Sequence, residues 1–212
     1  MARIKPQDIV IGQDTQEQQP YDFKPYEKYG ITVQKVNMPY GDYTLLYPDL
    51  SRDLTIERKS IDDFVQCCSH ERARFERELM ALRGFKYAYV AGEFSMLDVE
   101  RHLYRSKTNV NSVLSSITTW QCCWHVGFLF LETRELAAYC IASFFRFLAE
   151  HETGLAKSHC MKFSEPLPMP EGFLDAKSVI SLPEENRQVP IISGDKPSYF
   201  SPSYFNPGET PW

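Results

Sequence analysis

Asp42, Glu57, Lys59 and Asp63 are the side chains with the most chemistry to offer. Two carboxylates brought to one point supply hard oxygen ligands for Mg²⁺, with Mn²⁺ as a substitute, and a nearby ammonium offsets charge on a phosphate. The residues around them predict how they meet. Tyr43–Tyr47 and Leu54–Lys59 are rich in β-branched and aromatic residues, and Pro48-Asp49-Leu50-Ser51-Arg52-Asp53 supplies turn chemistry between them. That reads as a β-hairpin. The period of two along its second strand puts Glu57 and Lys59 on one face and Ile56 and Arg58 on the other. Pairing across the hairpin carries the Asp42 carboxylate toward Glu57. Ser60 is a natural N-cap for a following helix, with Asp62 and Asp63 in the first turn, where the helix dipole favours anions.

Gly41-Asp42 followed by Glu57-Arg58-Lys59 and, after three residues, Asp63 resembles the signature of the XPF-type nuclease domain. That family is a branch of the restriction-endonuclease-like fold. Asp14-Thr15-Gln16-Glu17 is similar to its opening Asp-x-Arg-Glu segment, with Gln16 where the family has arginine. The resemblance covers roughly residues 8–150. It implies a Mg²⁺-dependent endonuclease that hydrolyses phosphodiesters in branched or single-strand-containing DNA. Asp42, Glu57 and Asp14 would be the metal ligands, Lys59 would orient or deprotonate water, and Asp63 would complete the catalytic set. The resemblance also implies a homodimer paired through late helices. Its setting would be DNA repair or recombination, with a helicase or similar protein as a further partner. The alternative is a catalytically inactive relative that binds DNA and activates a sister subunit. Gln16 points toward it, and the intact Glu-Arg-Lys block points away.

Candidate DNA contacts are Arg58, Arg72 and Arg74, the last two in a locally basic run. Arg58, aimed away from Glu57, is also placed to brace the sheet or a neighbouring loop. The net charge of −5 over 212 residues has the wrong sign for a nonspecific DNA binder. Its location softens the objection. Residues 150–212 hold five Lys/Arg against nine Asp/Glu, whereas residues 1–149 hold eighteen against nineteen. Electrostatics by itself would not suggest nucleic acid.

A hydrophobic content of 43% is enough for a sizeable core, and no apolar run reaches membrane-spanning length. Six cysteines, four of them in the pairs Cys67-Cys68 and Cys122-Cys123, do not resemble a disulfide framework or a zinc site. Both pairs read as core packing in a reducing, cytoplasmic protein.

Strand patterns at Asp8–Ile11, Ile31–Met38, Phe85–Ala91 and Val126–Leu131 join the hairpin. Helical patterns cover Ile61–Arg83, Met96–Arg105, Asn109–Trp124 and Arg134–Glu150. The expected fold is α/β, a mixed central sheet flanked by helices over residues 1–152. Residues 153–212 are a Pro- and aromatic-rich extension, with nine of the fourteen prolines between 166 and 211. It is expected to be an extended arm laid over its own core or a sister subunit. The last helix carries Leu136, Ala137, Cys140, Ile141, Phe144 and Leu148 on one stripe, expected to face the sheet. Tyr139, Phe145 and Phe147 fall outside it and, with Trp120 and Trp124, are expected at a dimer interface, the competing expectation being that the C-terminal extension folds back over this surface within one chain.

Overall fold

The computed structural model describes residues 9–152 and 167–170. Its six strands are β1 (Ile9–Asp14), β2 (Ile31–Val36), β3 (Tyr43–Tyr47), β4 (Leu54–Lys59), β5 (Tyr87–Gly92) and β6 (Gly127–Phe130). They form one sheet in the order β2-β1-β3-β4-β5-β6. β3 runs antiparallel to both neighbours and every other pair is parallel, so the sheet is mixed as expected. The apolar β5 is interior, in register with β4 from Leu54↔Tyr87 to Lys59↔Gly92. β6, expected to be buried, is an edge strand on which only Phe128 is buried.

Each face of the sheet has its own core. Helices α1 (Ile61–Cys67), α2 (Arg72–Leu82), α3 (Met96–Glu100) and α4 (Val110–Trp124) supply one. There Phe64 is the hub, with ring centroids 5.1 Å from Phe94, 5.9 Å from Trp120 and 6.4 Å from Phe75. On the opposite face α5 (Arg134–Glu152) and a 3-10 turn over Lys24–Tyr29 bury Ile11, Ile31, Leu45, Ile141 and Phe145. Leu167, from the C-terminal extension, is buried in this second core. Each such large apolar side chain contributes about 1.5–3 kcal/mol.

Several expectations are corrected. The single helix over Ile61–Arg83 is two, α1 and α2. Ser69 Oγ donates to the Val65 and Gln66 carbonyls, and this side-chain competition accompanies the end of α1. α3 stops at Glu100, soon followed by His102 at φ +57°. On α5 the buried stripe is Ala137, Ala138, Ile141, Ala142, Phe145, Leu148 and Ala149. Alanines set the contact because they let the helix approach closely, which a ranking by side-chain size misses. Phe145 is thus core, while Leu136, Cys140 and Phe144 are half-buried. Tyr139 lies 6.4 Å from the Tyr26 ring, a partner within the chain. Trp120 is fully buried, and because it takes the inward position, Cys122 and Cys123 fall on the exposed side of α4. Cys67 and Cys68 are buried as expected. Most of the C-terminal arm, including its repeated Pro-Ser-Tyr-Phe, lies outside the described residues. Among those residues no helix is long and apolar enough to cross a membrane.

Candidate active site

The site is built on a sharp turn into β3. Gly41 sits at φ +75°, where a Cβ would meet Thr55 Oγ1 at 2.0 Å, so only glycine fits. The turn is fastened on both sides: Thr55 Oγ1 donates to the Tyr40 carbonyl at 3.0 Å, and the Asp42 N–H donates to Ile56 O at 2.8 Å. Tyr43 pairs with Ile56, which sets Asp42 beside Glu57. The Arg58 backbone N–H donates to Asp42 Oδ2 at 2.7 Å. Lys59 Nζ donates to Glu57 Oε1, and Glu78 Oε2 lies 3.9 Å from the same ammonium. Asp42, Glu57 and Lys59 therefore converge as the spacing predicts.

Their electrostatics differ. Burial, and then the charge of Glu57, push the Asp42 carboxyl up to about 7; the Arg58 N–H acts against this. Burial alone would lower Lys59, but Glu57 and then Glu78 more than offset it, and its pKa stands above the ordinary lysine value. Lys59 is therefore a cation at neutral pH. That charge suits orienting water and stabilising a developing negative charge.

Arg58 faces the other way. Its Nε donates to Glu17 Oε2 at 3.0 Å and its Nη1 lies 3.2 Å from Glu93 Oε1. Arg134 donates to the same Glu93 oxygen at 2.6 Å, and its Nη2 donates to the carbonyls of Gln19 and Pro20 at 2.9 and 2.8 Å. Of the two roles open to Arg58, this is the brace.

The other candidates fall at different distances from the carboxylate pair. Asp63 Oδ2 accepts from Ser60 Oγ at 2.7 Å while its N–H donates back at 3.2 Å, so it caps α1 and also lines the polar cleft beside Lys59. Asp14 ends β1, accepts the Met38 N–H at 3.0 Å and lines a second cleft with Asp42 and Glu57. Gln16 is exposed and lines both clefts. Arg74 reaches the polar cleft, held between Glu71 and Glu78. Arg72 lies elsewhere, bonding Ser116 Oγ at 2.7 Å and Glu76 at 2.9 Å with its guanidinium over Trp120. Reading the sequence missed Glu71, Glu78, Glu93 and Arg134. Glu93 had a signal: it follows an interior parallel strand at its carboxyl end, where α/β sheets place their sites.

Among the described residues no three His, Cys, Asp or Glu side chains group closely enough to cage a metal by themselves. Mg²⁺ characteristically uses one or two carboxylates with waters and substrate phosphate. Asp42 beside Glu57, each crowded by the other's charge, fits that pattern.

The ERCC4 domain model matches residues 13–144. Among solved structures, XPF from Aeropyrum pernix superposes with a TM-score of 0.53 at 18% identity, over 68% of this chain and 65% of that one. XPF from Aeropyrum pernix in complex with DNA gives 0.53 and 18%, over 71% of this chain and 68% of that one. The chain thus spans about two thirds of the length of either structure. No curated protein matches it in sequence. The sheet and its flanking helices have the XPF nuclease, restriction-endonuclease-like fold. By its sequence over residues 13–144, the chain belongs to the ERCC4 domain family of nucleases.

Proposed function

We propose that this chain is a divalent-metal-dependent DNA endonuclease acting on branched or single-strand-containing DNA. The observation that carries the reading is the convergence of Asp42, Glu57 and Lys59 at the β3–β4 end of a family nuclease fold. Asp42 and Glu57 would hold Mg²⁺, with Asp14 at the far wall of the cleft. The ion would supply Lewis-acid polarisation of the scissile phosphate and of water. Lys59, kept charged by Glu57 and Glu78, orients the attacking water and offsets charge as the transition state forms. Arg74 contacts a flanking phosphate from the polar cleft. Arg58, Glu17, Glu93 and Arg134 hold β4 and the loop after β1 in place.

The test is incubation of purified protein with labelled flap, fork, splayed and plain duplexes in Mg²⁺, Mn²⁺ or EDTA. Cleavage of the branched substrates with either metal and none in EDTA is expected. Binding without cleavage under every metal would instead mark an inactive DNA-binding relative. The reading includes self-association through the half-buried side of α5, which light scattering of the full chain measures.

A further inference from the structure

Asp42, Glu57 and Gln16 form the common wall of two clefts, and the clefts differ in kind. The first, about 440 Å³, carries Arg58, Lys59 and Arg74 among its walls. The second, about 300 Å³, has Asp14, Asp42, Glu57 and Glu78 and no lysine or arginine. Met38, Pro39, Tyr40 and Leu82 complete it. Glu57 and Glu78 are already paired with Lys59 and Arg74, and the Mg²⁺ proposed above would sit on the Asp42–Glu57 wall, so the cleft supplies no cation of its own for a second phosphate. Its rim of Met38, Pro39, Tyr40 and Leu82 suits a flat, partly apolar group instead. Of the parts of a nucleotide, the base fits that rim best.

Tyr40 is the surface such a base would use. It is 49% exposed although large and aromatic, and among the described residues no other ring packs on it. Its backbone is nevertheless fixed, by the bond from Thr55 Oγ1 and by the glycine-only turn at Gly41. With its backbone already fixed, an aromatic two residues before Asp42 has only its side-chain rotamers to order when a base stacks on it.

We propose that the cleft beside Asp14 is a nucleobase subsite, in which Tyr40 stacks on the base of an unpaired nucleotide next to the scissile phosphate. The phosphate itself lies toward the cationic cleft, so the strand crosses the Asp42–Glu57 wall. A paired base is already stacked on both faces and offers nothing to Tyr40. The subsite therefore selects a single-stranded segment at the point of reaction. This rests on the endonuclease reading above.

The experiment uses fork oligonucleotides carrying 2-aminopurine at successive positions of one unpaired arm. Ca²⁺ replaces Mg²⁺ so that binding is read without turnover. Wild-type protein should quench the fluorescence at one or two adjacent positions. Tyr40→Ala should lose that quenching and bind the fork about tenfold more weakly, the order of effect of one stacked base. Tyr40→Phe should restore both. Tyr47→Ala, which removes a tyrosine similarly exposed at the far end of β3, should match wild type. Equal quenching and affinity in wild type and a folded Tyr40→Ala protein would overturn the subsite. Failure of wild type to cut the same fork in Mg²⁺, with quenching intact, would overturn the nuclease reading and leave the subsite standing.

Discussion

On one face of β4, Glu57 and Lys59 line a cleft into which like charges have been gathered: apart from the Arg58–Glu17 pair, six carboxylates against two cations line the two clefts together. On the other face, one residue away, Arg58 is enclosed by the buried side chains of Glu17 and Glu93, and the more exposed Arg134 completes a charge-compensated network. Adjacent residues of one strand thus meet opposite electrostatic designs. The open face carries uncompensated repulsion, which a bound cation would relieve. The closed face is balanced internally and holds the open one in shape. Strain stored at a site and offset elsewhere is the usual signature of a functional surface.

The comparison breaks most visibly if the open face is disarmed. Asp42→Ala and Glu57→Ala should each reduce cleavage to background; Asp42→Ala should leave the melting temperature equal or higher because it removes repulsion, whereas Glu57→Ala also takes the partner from Lys59 and should not gain stability. DNA binding should persist. Lys59→Ala should slow cleavage about 10²–10³-fold, the scale of losing one charge-stabilising group, without preventing Mg²⁺ binding. Wild-type rates in Glu57→Ala protein free of contaminating nuclease would remove Glu57 from the site.

Disarming the closed face should do the reverse. Arg58→Met leaves Glu17 buried without its partner, and breaking a buried pair typically costs about 3–5 kcal/mol. A fall in melting temperature of roughly 10 °C is expected for a chain of this size. Glu17→Gln in the same chain should recover part of the loss, since it removes the stranded charge. An Arg58→Met protein as stable as wild type would show that the network is not the brace.

A pH titration sharpens the same contrast. The folded pKa of Asp42, about 7, stands above its ordinary value of 3.8, so the folded state binds the proton more tightly than the unfolded chain. Below the ordinary value both states are protonated and the group contributes no difference. As pH rises toward 7 the unfolded carboxyl ionises first, and stability relative to Asp42→Asn falls by at most about 4 kcal/mol. Differential scanning in EDTA from pH 4 to 8 should show wild type losing stability that Asp42→Asn keeps. Mg²⁺ should restore wild type chiefly near and above pH 7, where the carboxylate is ionised. Parallel curves for the two proteins in EDTA would refute the raised pKa that burial and then Glu57 impose on Asp42.

Much of the open face was legible in the sequence because it is local. Strand alternation, the turn at Pro48–Asp53 and the Ser60 cap suffice to place Glu57, Lys59 and Asp63 without knowing the rest of the fold. The closed face is not local. Arg58 finds Glu93 and Arg134 only because β4 pairs with β5 and α5 returns across the sheet. No periodicity reports that. Glu71 and Glu78 were hidden for a related reason: the break at Cys68–Glu71 reorients α2 toward Lys59, and an unbroken helix would have aimed them differently. The α5 stripe was misread because alanine carries little weight in a hydrophobic pattern yet decides how closely a helix can pack.

The smallest effect is expected where the two clefts meet, at Gln16. Its side chain is exposed and shares the wall with Asp42 and Glu57, at the place where the family has arginine. Being exposed, it contributes little to stability, so Gln16→Arg should leave the unfolding free energy within about 0.5 kcal/mol of wild type. Electrostatically the change adds one cation to a surface rich in carboxylates and facing a polyanion. Fork binding should tighten severalfold at low salt, and one added phosphate contact should steepen the salt dependence by about one. Cleavage should be equal or faster, because the new charge stabilises substrate without displacing any group that holds metal. The outcome that separates the readings is a well-folded Gln16→Arg protein that binds DNA and has lost cleavage. It would mean that the loop after β1 has been rebuilt around a neutral side chain. Asp14, two residues earlier, would then have to be withdrawn as a metal ligand, while Asp42 and Glu57, placed by the hairpin alone, would stand.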